Sequence, residues 1–189
     1  MAARTEPGTL IELASLPNLR AIGGYPARDG RVQTGVLYRS TALDKLAGDD
    51  AATLGQLGIR TVFDLRTESE RSAEPDRLPD GAQLVVCDVL ADSQNAAPAQ
   101  VIKALTDRAL AEQMLGGDKA VTLFDSAYRE IVSLPSALAA YRRMFTELLD
   151  DKRRPALFHC TTGKERTGWA AAATLTLLGV SEDDVIADF

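Results

Sequence analysis

Ten consecutive residues, His159 to Gly168, contain a cysteine, an arginine six positions after it and a threonine directly after the arginine. A short apolar run at 155–158, typical of a buried strand, precedes the cysteine, and an apolar stretch at 169–178, typical of a helix, follows. A loop that joins a strand end to a helix start points backbone N–H groups inward and binds anions. These residue types and their spacing predict a thiolate nucleophile, Cys160, at the base of a phosphate-binding loop.

The chemistry expected of this loop is a two-step phosphoryl transfer. A thiol reacts as its thiolate, which a helix N-terminus and nearby cations stabilise, so Cys160 is predicted to attack phosphorus. The planar fork of Arg166 fits two phosphate oxygens at once, and Thr167 is expected to donate a hydrogen bond to the sulfur. The other residues expected to bind the substrate phosphate or to shape the loop are Thr161, Thr162, Gly163, Lys164, Glu165 and His159.

No metal ion and no cofactor are expected in this reaction, because backbone N–H groups and Arg166 neutralise the charge of the phosphate. The chain has one histidine and two cysteines, too few for an ordinary zinc site of thiolate and imidazole ligands.

A carboxylate is needed to protonate the leaving oxygen and then to activate water. Asp88 and Asp92 belong to or follow a predicted strand at 84–89, whose end is expected beside the phosphate loop. Glu165 lies inside the loop itself. The ordinary explanation of each is a solvated or structural carboxylate, and the residues alone leave all three open as the general acid.

Strands alternate with helices along the chain, which predicts an α/β fold with a mostly parallel central sheet, flanking helices and a site at the carboxyl ends of the strands. The predicted strands are 36–38, 61–65, 84–89 and 156–159, and the predicted helices beside the one after the loop are 49–57 and 137–149. The segment 98–134 is expected to form two helices, 99–115 and 119–132, with Gly116-Gly117 as a hinge. They are either packing helices or a helical lid over the cleft.

Composition excludes several classes of protein. A length of 189 residues predicts one domain, and a net charge of −6 argues against a nucleic-acid partner. No apolar run is long enough to span a bilayer, and residues 1–8 lack the apolar core of a signal peptide. Two cysteines, one of them expected to be catalytic, indicate a reducing compartment. We therefore expect a cytoplasmic protein.

The loop resembles the signature of the protein tyrosine phosphatase superfamily, which is His-Cys, five residues, Arg, then Ser or Thr. The closer resemblance is to the bacterial tyrosine/lipid phosphatases of the secreted mycobacterial type, the PtpB-like family, whose loop reads like His-Cys-x-Ala-Gly-Lys-Asp-Arg-Thr-Gly. It extends to 18–25, 35–40, 57–66 and 178–189, and so to nearly the whole chain. The resemblance implies a protein tyrosine phosphatase-like fold and hydrolysis of phosphomonoesters through a cysteinyl-phosphate. It also allows export without a signal peptide as the alternative to a cytoplasmic location.

The resemblance also bears on single residues. The position of the family's acid after the Pro79-Asp80-Gly81 turn favours Asp92 as the general acid. Two positions depart from the family pattern, because Ala21 and Glu165 stand where the family has aspartate. The family continues past the last residue of this chain, so we expect a chain truncated at Phe189.

The substrates that the resemblance implies are phosphotyrosine peptides or proteins, with phosphoserine/threonine and phosphoinositides as further candidates. Lys164 is the substrate clue, because phosphoinositide-cleaving relatives carry a lysine there; its ordinary explanation is an exposed lysine. Arg20, Arg39 and Arg66 follow or end predicted extended segments and either face the cleft or pair with acidic residues. For Arg39 and Arg66 the pairing is the favoured alternative, whereas Arg20 is expected to bind substrate.

Three other functions would use a cysteine in an anion-binding loop. They are a rhodanese-like sulfurtransferase, a phosphate-binding module without turnover, and an arsenate reductase-like enzyme with Cys87 as the resolving cysteine. The Arg166-Thr167-Gly168 ending argues against sulfur transfer.

Overall fold

A five-stranded sheet organises the chain in the computed structural model, which describes residues 6–93 and 119–189. Four strands are parallel in the order β4-β7-β5-β6, and β1 pairs with β4 antiparallel at one edge. A small hairpin of β2 and β3 stands apart from the sheet. The strands are β1 Arg20–Ala21, β2 Pro26–Ala27, β3 Gly30–Arg31, β4 Leu37–Ser40, β5 Thr61–Asp64, β6 Gln83–Val86 and β7 Ala156–His159.

Helices follow most of the parallel strands and cover both faces of the sheet. The helices among the described residues are α1 Gly48–Gln56, α2 Glu68–Ala73, α3 Lys119–Ser133, α4 Pro135–Leu148, α5 Glu165–Leu177 and α6 Glu182–Asp188, with a 3₁₀ turn at Asp151–Arg153. The predicted α/β fold with a mostly parallel sheet is confirmed.

Two predicted boundaries near the loop differ from the structure. The helix after the phosphate loop begins at Glu165 and not at 169, so the second half of the loop motif already lies on the first turn of α5. The strand predicted at 84–89 ends at Val86. The predicted helix at 119–132 is α3, whereas the predicted helix at 99–115 and the hinge at 116–117 lie outside the described residues, so the lid stays a prediction.

The core lies on both sides of the sheet because neighbouring residues of each central strand point to opposite faces. On β7, Phe158 packs with residues of α4 and α5, whereas Leu157 packs with Leu54 of α1 and with the N-terminal segment. Both β7 side chains are fully buried. The strand that carries the phosphate loop is therefore fixed from both faces.

The four parallel strands end side by side at Ser40, Asp64, Val86 and His159. Since the carboxyl ends of parallel strands meet at one edge of a sheet, the segments that follow these strands meet around one site. No helix in the described ranges is both long and apolar enough to cross a lipid bilayer.

Candidate active site

The phosphate loop emerges from the middle of the carboxyl edge of the sheet. Its strand, β7, lies between β4 and β5, so Cys160, one residue beyond the end of β7, is surrounded on both sides. The Cys160 residue is only 1% exposed. The backbone carbonyl of Thr161, the next residue, accepts a hydrogen bond from the Ala42 N–H at 3.1 Å, which ties the start of the loop to the segment after β4.

Gly163 is required at the turn of the loop. Its φ of +68° is strained for any other residue, and a Cβ placed there would lie 2.6 Å from the backbone oxygen of Ser40. The Gly163 carbonyl oxygen accepts a hydrogen bond from Asn18 Nδ2 at 3.0 Å. Asn18 Oδ1 in turn accepts one from Arg20 Nε at 3.0 Å. Arg20, which the sequence predicted to bind substrate, therefore touches the loop through Asn18.

The backbone N–H groups of the loop are available for an anion. Within the described part of the chain, none of the N–H groups of residues 161–165 donates a hydrogen bond. Lys164 is the N-cap of α5, and no side chain caps that helix end. An uncapped helix start and a row of unbonded N–H groups form a site for a phosphate or another oxyanion.

Arg166 lies on the first turn of α5 and is held by a carboxylate from α2. Its Nη1 and Nη2 donate to Glu70 Oε2 and Oε1 at 2.8 and 2.7 Å. Burial acts against the charged form of Glu70, but the hydrogen bonds and charge of Arg166 outweigh it and hold the pKa of Glu70 below its usual range. Burial likewise opposes the charge of Arg166, yet Glu70 raises the pKa of the guanidinium.

His159 lies beneath the loop and joins it to a buried network of charges. Its Nδ1 is 3.0 Å from the Cys160 carbonyl oxygen, and its Nε2 is 3.1 Å from Asp76 Oδ2. The same Asp76 oxygen lies 2.8 Å from Arg66 Nη2, which also lies 2.8 Å from Asp64 Oδ2. Of the two alternatives for Arg66, the structure confirms pairing with acidic residues.

Asp64, Asp76 and His159 place atoms of metal-ligand type within 4.8 Å of one another. The group does not fit a metal ion, because the guanidinium of Arg66 already lies against both carboxylates. Burial raises the pKa of Asp76, but the imidazole of His159, 3.1 Å away, and the charge of Arg66 prevail and lower it from 3.8 to about 2.

The two aspartates considered for the general acid are bound differently. Asp88 accepts hydrogen bonds from the N–H groups of Glu68 and Leu90, both at 3.1 Å, and lies 3.5 Å from Arg71 Nη1. It thus joins α2 to the segment after β6. Asp92 is exposed and accepts from one residue of the described chain, Ser136, through its N–H at 3.1 Å and through its hydroxyl.

The remaining predicted residues lie around the loop. Glu165 Oε2 accepts from Thr162 Oγ1 at 3.4 Å. Lys164 is exposed and borders a cavity of about 570 Å³, which Arg20, Arg39 and Tyr128 also line.

The predicted hydrogen bond from Thr167 to the sulfur of Cys160 is not formed. Thr167 Oγ1 is buried and has no hydrogen-bond partner in the part of the chain that the structure describes. The predicted donor is therefore present but unused.

Cys87 does not fit the part of a resolving cysteine. Asp64 of β5 pairs with His159 on one side and with Val86 on the other, so Cys160 and Cys87 follow strands on opposite sides of β5. Two strand spacings amount to roughly 9.6 Å, whereas a disulfide requires a Cα separation of roughly 4.4–6.8 Å. Burial also raises the pKa of Cys87 to about 12, which keeps it a thiol.

Sequence reasoning missed three residues that hold the site: Glu70, Asp76 and Asn18. A signal existed for Glu70, because Thr67-x-x-Glu70 is a capping box at the start of α2. Nothing in that pattern indicates that the same carboxylate binds Arg166, and no local pattern marks Asp76 as the partner of His159.

We expect Asp76→Asn to lower the free energy of unfolding at pH 7 by about 3–5 kcal/mol, because it leaves buried Arg66 with one carboxylate fewer. The wild-type pKa of Asp76 is lowered to about 2, so its stabilising effect is complete above about pH 4 and is lost as the pH falls towards 2. Urea unfolding between pH 2 and 7 should show a weaker pH dependence in the variant. Exposed Asp80→Asn is the control, and equal pH dependence in wild type and Asp76→Asn would contradict the network.

A model of the tyrosine phosphatase family matches residues 11–189. The chain is 33% identical over 172 residues to the triple specificity protein phosphatase PtpB of Mycobacterium tuberculosis, covering 84% of this chain and 61% of that protein. It is 32% identical over 179 residues to a putative tyrosine-protein phosphatase of Cupriavidus necator, covering 93% and 60%. The chain thus spans about 60% of the length of these relatives.

Among solved structures, a crystal structure of kinase associated phosphatase matches with a TM-score of 0.44 and 18% identity, covering 83% of this chain and 74% of that one. The family model extends over far more than half of the chain. The chain belongs to the tyrosine phosphatase family.

Proposed function

We propose that this chain is a cysteine-dependent protein tyrosine phosphatase that hydrolyses phosphomonoesters through a cysteinyl-phosphate. The observation that carries the proposal is the uncapped start of α5, where the loop N–H groups are unbonded beside Cys160 and Arg166. Family membership supports the same activity and does not favour sulfur transfer.

In the first step, the Cys160 thiolate attacks phosphorus in line with the leaving oxygen. A sulfur–phosphorus bond forms, the phosphorus–oxygen bond to the leaving group breaks, and its electron pair stays on that oxygen, which takes a proton from the general acid. The loop N–H groups and Arg166 bind the other phosphate oxygens, where negative charge is concentrated in the transition state.

In the second step, water attacks the phosphorus of the phosphocysteine. The general acid, which is now ionised, removes a proton from that water. The sulfur–phosphorus bond breaks and its electron pair returns to Cys160 as a thiolate. Thr167 is the proposed donor to this leaving sulfur, which is supported by a buried hydroxyl that has no other partner in the described ranges. The positive end of α5 stabilises the same thiolate.

Asp92 is the proposed general acid. Asp88 has three donors that tie two segments together, so moving it would break structural bonds. Asp92 is exposed and binds Ser136 at the start of α4, so its release costs less. Glu165, with one hydrogen bond to Thr162 at 3.4 Å, is the alternative.

Phosphotyrosine peptides or proteins are the proposed substrates, with phosphoserine/threonine as a further class. The M. tuberculosis relative is named a triple specificity phosphatase, which supports testing all of these together with lipids. A phosphoinositide is the second candidate, favoured by exposed Lys164 at the edge of the cavity beside the loop. Arg39 adds less charge there, because it is paired with Asp188 at 3.2 Å.

A reducing compartment is the proposed location, the cytoplasm or the destination of signal-independent export. The support is chemical: Cys160 reacts only while its sulfur is reduced, and both described cysteines are free thiols.

We expect Cys160→Ser to abolish phosphate release from a phosphotyrosine peptide, because the hydroxyl at this position is a far weaker nucleophile than a thiolate. Steady-state phosphate release with a chelator present measures this. Cys87→Ser is the matched control and should retain wild-type turnover. Phosphate binding without turnover in wild type would instead indicate a binding module.

Asp92→Asn should lower kcat about 10²–10⁴-fold for a leaving group of high pKa and far less for an aryl phosphate whose leaving group needs no proton. The comparison of an alkyl phosphate with a nitrophenyl phosphate measures this difference. Asp88→Asn and Glu165→Gln are the parallel variants. A dependence on the leaving group in one of them, and not in Asp92→Asn, would transfer the role of acid to that residue.

Lys164→Met should reduce kcat/KM for a phosphoinositide more than for a phosphotyrosine peptide, because the lost charge lies at the edge of the cavity and not at the thiol. Lys152→Met removes the same charge from an exposed site before β7, at the opposite edge of the sheet. It should leave kcat/KM unchanged for both substrates. An equal loss for both substrates in Lys164→Met would remove the argument for a lipid substrate.

A further inference from the structure

The carboxylate of Glu70 has more hydrogen-bond donors than a helix cap requires. Oε1 accepts from Arg166 Nη2 at 2.7 Å and from Thr161 Oγ1 at 2.5 Å. Oε2 accepts from Arg166 Nη1 at 2.8 Å and from the hydroxyl and N–H of Thr67 at 2.8 and 2.9 Å. Two of the five donors belong to the capping box of α2, and three belong to the phosphate loop.

Glu70 binds one edge of the Arg166 guanidinium, and this determines which edge remains for a phosphate. Arginine has five N–H groups, and Glu70 takes one from Nη1 and one from Nη2. The carbonyl of Leu65 accepts from Nη1 at 3.4 Å. The Nε–H and the second Nη2–H have no acceptor among the described residues, and these two bonds are parallel on one edge of the plane. Such an edge matches two oxygens of a phosphate.

We infer that Glu70 is a positioning residue, which turns Arg166 so that its Nε and Nη2 edge faces the phosphate. The inference rests on the proposed function, because it concerns the orientation of a phosphate-binding group. Glu70 stays ionised while it does this, since the hydrogen bonds and charge of Arg166 outweigh the effect of burial on its pKa.

The opposite explanation is that the Glu70 carboxylate occupies the place of the phosphate and blocks the loop. It makes the opposite prediction, because removal of a blocking anion would tighten phosphate binding. The loop N–H groups, which would be the first donors to bind a true phosphate mimic, make no hydrogen bond to Glu70 among those of residues 161–165.

The test is Glu70→Gln, which keeps the shape and removes the charge and one of the two acceptors facing Arg166. We expect kcat to fall about 10–100-fold, the order of loss that misplacing a reacting group by about 1 Å causes, with a much smaller change in KM. Inorganic vanadate, which forms a transition-state-like adduct, should lose more affinity than inorganic phosphate. Glu70→Asp, whose carboxylate is withdrawn by about one carbon–carbon bond, or about 1.5 Å, should also be impaired despite keeping its charge.

Two further variants separate positioning from helix stability. Glu68→Gln removes the same charge from an exposed side chain on the first turn of the same helix and should keep wild-type kcat. Arg166→Lys has no fork to orient, so adding Glu70→Gln to it should cost much less than in wild type. Additive losses in this double-mutant cycle would overturn the inference.

Calorimetric titration with phosphate and with vanadate makes the result independent of turnover. If wild type fails to release phosphate from any substrate, the proposed function fails, and the two affinities still decide the role of Glu70. Weaker vanadate binding by Glu70→Gln supports positioning. Unchanged or tighter binding of both anions, or a raised kcat/KM, overturns it.

Discussion

An anion-binding loop must keep its N–H groups unbonded while no anion is present, and this constraint governs the whole site. Unpaired backbone donors are costly when buried, so a free loop would collapse onto whatever acceptor it could reach. Here the carbonyls of the loop are held from outside. Asn18 binds the Gly163 carbonyl and the Ala42 N–H binds that of Thr161. With its carbonyls fixed, the loop leaves the N–H groups of residues 161–165 without a hydrogen bond among the described residues.

The charges around the loop are arranged for the same purpose. Arg166 and Arg66 are both bound to carboxylates. Arg166 is bound to Glu70, and Arg66 is bound to Asp76 and Asp64. Each arginine is therefore fixed in direction without losing its charge. In the proposed function, a phosphate would meet donors that need no reorganisation, which is the condition for strong electrostatic stabilisation of a transition state.

The fold and the central residues were predictable because their signals are local. The buried run before Cys160, the turn at Gly163 and the apolar stretch after Arg166 are contiguous, and the structure has a strand, a loop and a helix there. The partners that hold these residues were not predictable, because they are distant in sequence. Glu70 lies 96 positions from Arg166 and Asn18 lies 145 from Gly163, and only the strand order brings them together. The general acid is equally hard to predict from local signals, because both Asp88 and Asp92 fit the spacing and both form hydrogen bonds to other segments.

The central claim is that phosphate passes through a covalent bond to Cys160. Rapid quenching of the enzyme during turnover of a phosphotyrosine peptide, followed by phosphorus NMR and mass mapping of the denatured chain, tests it most directly. The account predicts a phosphocysteine signal that maps to the peptide containing Cys160 and disappears when substrate is exhausted. Turnover at the wild-type rate with no phosphorylated residue, or with the phosphoryl group on another side chain, would contradict it.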